Sequence, residues 1–161
     1  MSKSGELTYL NNSLSINRMK EIPKYSNCFV CGDNNKHGLQ AKFFYDGENA
    51  ITEIVAGKEM EGYQGIYHGG IISALLDEIM IKAVLAIDKF VVTAEMTVRY
   101  ILPVRTGEKI RFTGTIRKTN GKIYYTQGEA MNEKQEVVAK ATGKYIEVEE
   151  SFRKELMNSI E

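Results

Sequence analysis

Residues 67–87 read YHGGIISALLDEIMIKAVLAI, and this stretch decides the fold. From Ile71 to Ile87, thirteen of the seventeen residues are apolar, which predicts a helix that is buried on most of its sides. Its four polar residues are Ser73, Asp77, Glu78 and Lys82. The last two are four residues apart, so we interpret them as an ion pair on a solvent-facing stripe. The first two lie on a second line, about 100° away around the helix.

Alternating apolar and polar residues predict strands on both sides of this helix. Leu39–Tyr45 and Ala50–Ala56 flank an Asp46-Gly47 turn and form a predicted hairpin. Four more strands are predicted after the helix, at Val91–Leu102, Lys109–Lys118, Lys122–Met131 and Val137–Val148. Asn120-Gly121 marks a tight turn between two of them. We therefore expect an α+β fold, in which an antiparallel sheet of about six strands wraps around one long central helix.

The composition is that of an ordinary globular domain. Of the 161 residues, 43% are hydrophobic and 26% are charged, and the 21 basic and 21 acidic side chains cancel. This balance gives no reason to expect nucleic acid or a membrane as a partner. The first 20 residues hold no apolar leader, so we expect a cytoplasmic protein.

We divide the chain into an arm at 1–26, one domain at 27–148 and a tail at 149–161, in which a short exposed helix is predicted.

Asp77 is the first candidate for a catalytic residue. A carboxylate on a largely buried helix loses solvation, so it needs hydrogen-bond partners at an interface or a chemical role such as general base. His68-Gly69-Gly70 immediately precedes the helix, where free N–H groups and the helix dipole favour negative charge. Such a loop could stabilise the oxyanion of an acyl-transfer reaction, or it could be only a structural turn that leads into the helix.

Cys28, Cys31 and His37 raise the question of zinc. Structural zinc usually takes four protein ligands, and the other histidine, His68, is better used in the glycine loop. Two cysteines also make no disulfide framework. We therefore expect no metal site and no cofactor.

Several basic residues lie close together in sequence around the Asn120 turn. They are Lys109, Arg111, Arg117, Lys118 and Lys122. This clustering is expected on a solvent-exposed outer face of the sheet, and it is equally expected in a binding site for a phosphorylated ligand. The sequence leaves both interpretations open.

Five short motifs are informative: CFVCG (28–32), NKHGL (35–39), YHGGIISALLDE (67–78), VTAEM (92–96) and RYILPV (99–104). Together they resemble motifs of the PaaI-like hotdog thioesterases. The first two are similar to the start of that domain, the third to its central helix, and the last two to the strand that follows the helix. The spacing from His68 to Asp77, together with the PVRTG turn at 103–107, makes the resemblance specific over residues 27–148.

This resemblance implies hydrolysis of an acyl-CoA thioester to a free acid and CoA, with CoA as part of the substrate. Asp77 would be the catalytic carboxylate, which activates water or attacks directly. Gly69, together with Gly70, would supply N–H groups to the thioester oxygen, and His68 would position their loop. The site would lie between subunits of a homodimer or of a homotetramer built from two dimers.

The resemblance adds further site residues. Thr93 matches a hydroxyl residue that orients water in some relatives, and Gln64 stands near a position where several relatives carry Asn or Gln and this chain has Gly62. Strand alternation puts Thr93 opposite the apolar face of Val92 and Ala94, which fits a site between subunits but not one against the chain's own helix. The candidates for binding the CoA phosphates are Arg117, Lys118, Asn120 and Lys122.

Two other functions remain open. Hydroxyacyl dehydratases share the fold but rely on a histidine paired with an acid in another arrangement, and release of free thiol rather than loss of water distinguishes hydrolysis from dehydration. A non-catalytic acyl-CoA-binding or sensor protein would bind the ligand without turnover. The predicted arm is too short for a helix-turn-helix, so a DNA-binding sensor is disfavoured.

Overall fold

The computed structural model describes residues 19–160, so residues 1–18 of the predicted arm lie outside the described residues. The strands are β1 (Lys20–Glu21), β2 (Phe44–Tyr45), β3 (Asn49–Val55), β4 (Val91–Tyr100), β5 (Lys109–Asn120), β6 (Ile123–Asn132) and β7 (Val137–Glu147). The α-helices are α1 (Gly69–Leu85) and α2 (Glu150–Met157), and a short 3-10 helix spans Lys58–Met60. The sheet is antiparallel and runs in the order β1-β2-β3-β5-β6-β7-β4, with α1 packed on it. The predicted fold class is confirmed.

The beginning of the sheet differs from the prediction. β1 adds a seventh strand inside the predicted arm, and the predicted strand Leu39–Tyr45 shrinks to its last two residues. The N–H groups of Leu39 and Ala41 donate to the carbonyls of residues 29 and 30 over 2.8 Å, and Gln40 between them has φ +50°. This segment therefore pairs with the cysteine-containing loop instead of with a neighbouring strand.

The central helix α1 begins two residues earlier than predicted, directly after its cap, and also ends two residues earlier. It ends at Leu85 because Asp88 adopts φ +60°, a conformation that closes a helix. The N–H of Lys89 returns to the carbonyl of Val84 over 3.3 Å, and that of Asp88 to Leu85 over 2.9 Å. The chain leaves α1 sharply and enters β4, which forms one edge of the sheet.

A row of small residues lets α1 lie directly on the sheet. The cross-strand partners in this row, from β3 through β5 and β6 to β7, are Ala50, Gly114, Gly128 and Ala141. A Cβ atom on Gly114 would overlap the carbonyl oxygen of Ile79, so the backbone of β5 approaches the backbone of the helix. A Cβ on Gly128 would lie 3.1 Å from Leu76 Cδ2, which is a movable side-chain atom.

The prediction that Glu78 and Lys82 face solvent is wrong. Lys82 is completely buried and the Glu78 side chain is 12% exposed. The segment between β1 and β2 covers them: Lys82 Nζ donates to the carbonyl of Pro23 over 2.5 Å and lies over the rings of Tyr25 and Phe43. The covering segment is distant in sequence, so the spacing of apolar residues along the helix cannot predict that these two side chains are buried.

The later turns follow their sequence signals with small shifts. The β5–β6 loop consists of Gly121, at φ +57°, and Lys122, so Asn120 pairs with Ile123 at the end of the ladder. The predicted tail helix forms at Glu150–Met157. Neither helix of the described residues has the length and apolarity needed to cross a membrane.

We expect Gly114→Ala to lower the free energy of unfolding by about 1–3 kcal/mol or more, because the new methyl group meets helix backbone that cannot move without displacing α1. Gly128→Ala is the matched control in the paired strand, and we expect a smaller loss, because Leu76 can change rotamer. Urea denaturation followed by circular dichroism measures both. Equal stability of the two variants would contradict the backbone contact.

Candidate active site

Asp77 is held by two hydroxyl groups of its own chain. The hydroxyl of Tyr145 donates to Asp77 Oδ1 over 2.8 Å, and Thr93 Oγ1 donates to the same oxygen over 2.9 Å. Tyr145 is completely buried, and this burial, followed by the nearby Asp77 carboxylate, raises the pKa of the phenol. The phenol therefore stays protonated and remains a donor. No described residue bonds to Oδ2, so one carboxylate oxygen is fixed and the other is available for chemistry.

A β-bulge at Ala94 brings Thr93 to the helix. In the β4–β7 ladder Thr93 pairs with Tyr145 and Glu95 pairs with Lys144, so Ala94 has no partner. Before the bulge the odd-numbered residue Thr93 faces α1, and after it the even-numbered residues do. The prediction that Thr93 shares no face with the chain's own helix is therefore wrong, because simple alternation fails at one extra residue.

His68 caps α1 and organises the glycine loop. It has an extended backbone, and its Nδ1 accepts a hydrogen bond from the N–H of Gly70 over 2.8 Å. Because Nδ1 accepts, the neutral ring carries its proton on Nε2. The N–H of Gly70 is thus occupied by the cap, whereas the N–H of Gly69 makes no hydrogen bond to a described residue. Of the two predicted donors, Gly69 is the one left free at the positive end of the helix.

Tyr100 and Ser73 fix the position of Gly69. The Tyr100 hydroxyl oxygen lies 2.9 Å and Ser73 Oγ lies 3.1 Å from the Gly69 carbonyl oxygen, and the two hydroxyls are hydrogen-bonded to each other. One hydroxyl therefore donates to the carbonyl while the other donates to its neighbouring hydroxyl. A Cβ atom on Gly69 would lie 3.3 Å from the Tyr100 ring. Glycine is therefore needed for the aromatic ring to pack against the start of the helix.

An open cavity of about 680 Å³ adjoins this loop. Residues 61–63 and 66–69 form one wall and residues 100–104 form another, with Ile72 of α1 also lining the cavity. The lining is mainly apolar, as expected for a pocket that takes a hydrocarbon group. Asp77 does not line it. Within one chain, the carboxylate and the glycine loop therefore do not open onto the same cavity.

The predicted substrate-binding residues separate into two places. Gln64 is exposed in the tight loop before the glycines. Arg117, Lys118, Asn120 and Lys122 lie at the β5–β6 hairpin. Thr93, Tyr145, Tyr124 and Thr119 are successive cross-strand partners, so Asn120 stands one row beyond the hydroxyls that hold Asp77.

The basic residues of β5 do not form a single patch. Lys109 and Arg111 approach Glu53 at the other end of the strand, at 2.9 and 3.9 Å. At the hairpin, Lys122 pairs with Glu149 at 2.7 Å and Lys118 lies over the ring of Tyr125. Of these basic residues, Arg117, Lys118 and Lys122 are therefore the ones that lie at the hairpin end.

Sequence reasoning missed Tyr145, Tyr100 and Ser73. A signal existed for Tyr145, because it follows Ala139 and Ala141 on the inward-facing positions of β7, where a buried phenol needs a partner. The sequence pattern puts Ser73 on the same line of the helix as Asp77, but nothing in the sequence links its hydroxyl to Gly69. Nothing in the sequence links the Tyr100 hydroxyl to Gly69 either.

Comparison with known proteins identifies the fold. Residues 64–139 match the family model described as Thioesterase superfamily. The Escherichia coli PaaI protein from the phenylacetic acid degradation operon superposes with a TM-score of 0.64 at 20% identity, over 69% of this chain and 81% of that chain. A Streptococcus mutans protein bound to acetyl-CoA gives 0.62 at 20% identity, over 65% and 84%. A further thioesterase superfamily protein gives 0.72 at 18% identity, over 89% and 76%.

These likenesses show that the sheet and α1 form a hotdog fold, and residues 64–139 of it match the thioesterase superfamily model. The resemblance to PaaI-like hotdog thioesterases is confirmed at that level. No curated protein matches the chain significantly in sequence.

We expect Tyr145→Phe to lower the free energy of unfolding by about 1.5–3 kcal/mol, the range for a hydrogen bond to a charged group. The substitution leaves Asp77 Oδ1 with Thr93 as its remaining donor. Tyr125→Phe, the same change on the neighbouring strand, is the control and should stay within about 0.5 kcal/mol of the wild type. Thermal and urea unfolding measure both; an unchanged stability in Tyr145→Phe would mean that the phenol does not bind the carboxylate.

Proposed function

We propose that this protein is an acyl-CoA thioesterase, which hydrolyses the thioester of an acyl-CoA to a free acid and CoA. One observation carries the proposal: Asp77 Oδ1 is fixed by Tyr145 and Thr93, while Oδ2 has no partner among the described residues. A carboxylate positioned in this way on the central helix of a thioesterase superfamily domain has the arrangement required of a general base.

The chemistry uses two places on α1: its beginning, where Gly69 lies, and its middle, where Asp77 lies. Asp77 Oδ2 takes a proton from a water molecule as the water oxygen attacks the thioester carbon. The N–H of Gly69 then stabilises the negative charge that develops on the carbonyl oxygen. When the tetrahedral intermediate collapses, the carbon–sulfur bond breaks, and the proton held by Asp77 passes to the departing CoA sulfur. The products are the free acid and the CoA thiol.

These two groups need a second subunit. Asp77 lies eight residues after Gly69, which separates them by about 12 Å along the helix axis. A reacting carbon must lie within about 3.5 Å of its attacking atom, and an oxyanion donor within about 3.1 Å of the oxygen. Even with a water molecule between Asp77 and the reacting carbon, this separation is long for one thioester, and Asp77 does not line the cavity beside the glycine loop. We therefore place the site between two copies, with Asp77 of one chain facing the glycine loop of the other.

The free edge of the sheet is where we place that second copy. Among the described residues, β4 pairs only with β7 and leaves its outer edge open. Val92, Tyr100, Ile101 and Leu102 along this edge are exposed, between 39 and 52% each. A long edge with apolar side chains favours pairing with an identical strand, which gives a symmetric dimer.

The hairpin between β5 and β6 is the proposed seat for the phosphates of CoA. Arg117 and Lys118 bring positive charge to it, and the Lys122 ammonium, which is exposed and paired with Glu149, can exchange that partner for a phosphate. It stands one row beyond the hydroxyls that hold Asp77. An acetyl-CoA complex in a protein of the same fold gives this ligand class independent support.

We expect Asp77→Asn to lower kcat by at least about 100-fold, the scale of losing a positioned general base, because the amide keeps its size but cannot accept the proton. The assay follows release of free thiol from a panel of aliphatic and aromatic acyl-CoAs. Glu48→Gln, which neutralises an exposed carboxylate in the β2–β3 turn, is the control and should keep kcat within about threefold. An Asp77→Asn variant with wild-type kcat would remove Asp77 from the mechanism. Tight binding without turnover by the wild type would favour the sensor function.

Mixed subunits test the placement of the site between two chains. Asp77→Asn and Gly69→Val are each expected to be inactive, the second because the added side chain meets the Tyr100 ring. A heterodimer of the two, co-expressed with different tags and purified through both, contains one intact site and should show about half of the wild-type activity. No recovery in a correctly folded heterodimer would place both groups in a site within one chain.

A further inference from the structure

The loop before β2 contains a thiolate-binding turn. In the Cys28-Phe-Val-Cys-Gly run, the N–H groups of Val30 and Cys31 point at Cys28 Sγ, at 3.3 and 3.4 Å, and Gly32 closes the turn on the carbonyl of Cys28 over 2.9 Å. A sulfur that receives backbone N–H groups in this way is prepared to be an anion.

Glu78 brings a carboxylate from α1 to the same point. Its Oε2 lies 3.9 Å from Cys28 Sγ, and the two sulfur atoms and one carboxylate oxygen all lie within 4.8 Å of one another. The other oxygen, Oε1, is buried and accepts no hydrogen bond from a described residue, and its nearest cation, Lys82, is 3.5 Å away. A buried carboxylate oxygen without a hydrogen bond is costly, so its presence needs a reason.

Charge and geometry both suit a divalent metal ion. Two thiolates and one carboxylate around a divalent cation leave one net negative charge, which the Lys82 ammonium balances. In a zinc tetrahedron, Zn–S distances of about 2.3 Å place two sulfurs about 3.8 Å apart, so these ligand atoms need to approach by no more than about 1 Å. Thiolate ligands select zinc over magnesium and calcium, which prefer oxygen.

We propose that Cys28, Cys31 and Glu78 bind one Zn²⁺ ion, with Lys82 as its charge-balancing neighbour. Three protein ligands leave one tetrahedral position, which water can reach through the half-exposed side of Cys28. The ion joins the loop before β2 to the central helix. It is separate from the proposed thioesterase chemistry, because Glu78 points about 100° away from Asp77 around α1. The ligand count from sequence considered only Cys and His and placed Glu78 in solvent, so it did not include this carboxylate.

The test is a titration of the full-length protein, stripped of metal and reduced, with Co²⁺ followed by Zn²⁺. One equivalent of Co²⁺ should produce the thiolate-to-cobalt charge-transfer bands and visible bands of a tetrahedral site, and Zn²⁺ should abolish them. Protein purified without chelators should contain about one zinc per chain by mass spectrometry of the elements. Absence of these bands in the wild type, or a Cys28–Cys31 disulfide in place of metal under the same preparation, would overturn the proposal.

Two variants identify the ligands. Glu78→Gln keeps the size of the side chain and should weaken Co²⁺ binding by at least about 100-fold, while Cys28→Ser should remove the charge-transfer bands. Glu133→Gln, in the exposed β6–β7 turn, is the control and should bind like the wild type. Circular dichroism verifies that each variant is folded, and the wild-type titration stands without them. Wild-type affinity in folded Glu78→Gln would exclude the carboxylate as a ligand.

Discussion

The direct contact between α1 and the glycine row of the sheet is the constraint on which the rest of the molecule depends. Gly114 admits the helix backbone to the surface of β5, and Ala50, Gly128 and Ala141 continue the groove to either side. This contact fixes both the height and the rotation of the helix above the strands. The rotation in turn decides which helix residue meets Tyr145.

Two adjacent carboxylates on this helix have opposite surroundings. Asp77 meets two hydroxyl groups from β4 and β7, which hold one oxygen and leave the other free. Glu78 points toward the loop before β2, where it meets sulfur and the buried ammonium of Lys82, and burial raises its pKa. Two consecutive residues of α1 therefore have different surroundings: hydroxyl groups surround the carboxylate of Asp77, and a thiol and an ammonium group surround that of Glu78.

Local patterns predicted the parts of the fold that depend on local forces. The helix and the hairpins follow from periodicity and turn residues. A carboxylate on an apolar helix indicated that Asp77 needs partners, and Tyr145 and Thr93 provide them. The burial of Lys82 could not be predicted, because its cover is a segment about sixty residues earlier in the chain. The position of Thr93 also escaped, because a bulge depends on how two strands pair and not on the sequence of either one.

The bulge at Ala94 also affects how this chain should be compared with its relatives. One extra residue in β4 exchanges the two faces of the sheet for all strand residues that follow it. In a relative without the bulge, the equivalent threonine would therefore be one residue closer in sequence to the apolar residues that follow it. In an alignment of such sequences, a single-residue gap at this point marks a real change of geometry. Homologous positions on the two sides of Ala94 are defined by the face that each side chain occupies, and counting along the strand misassigns them.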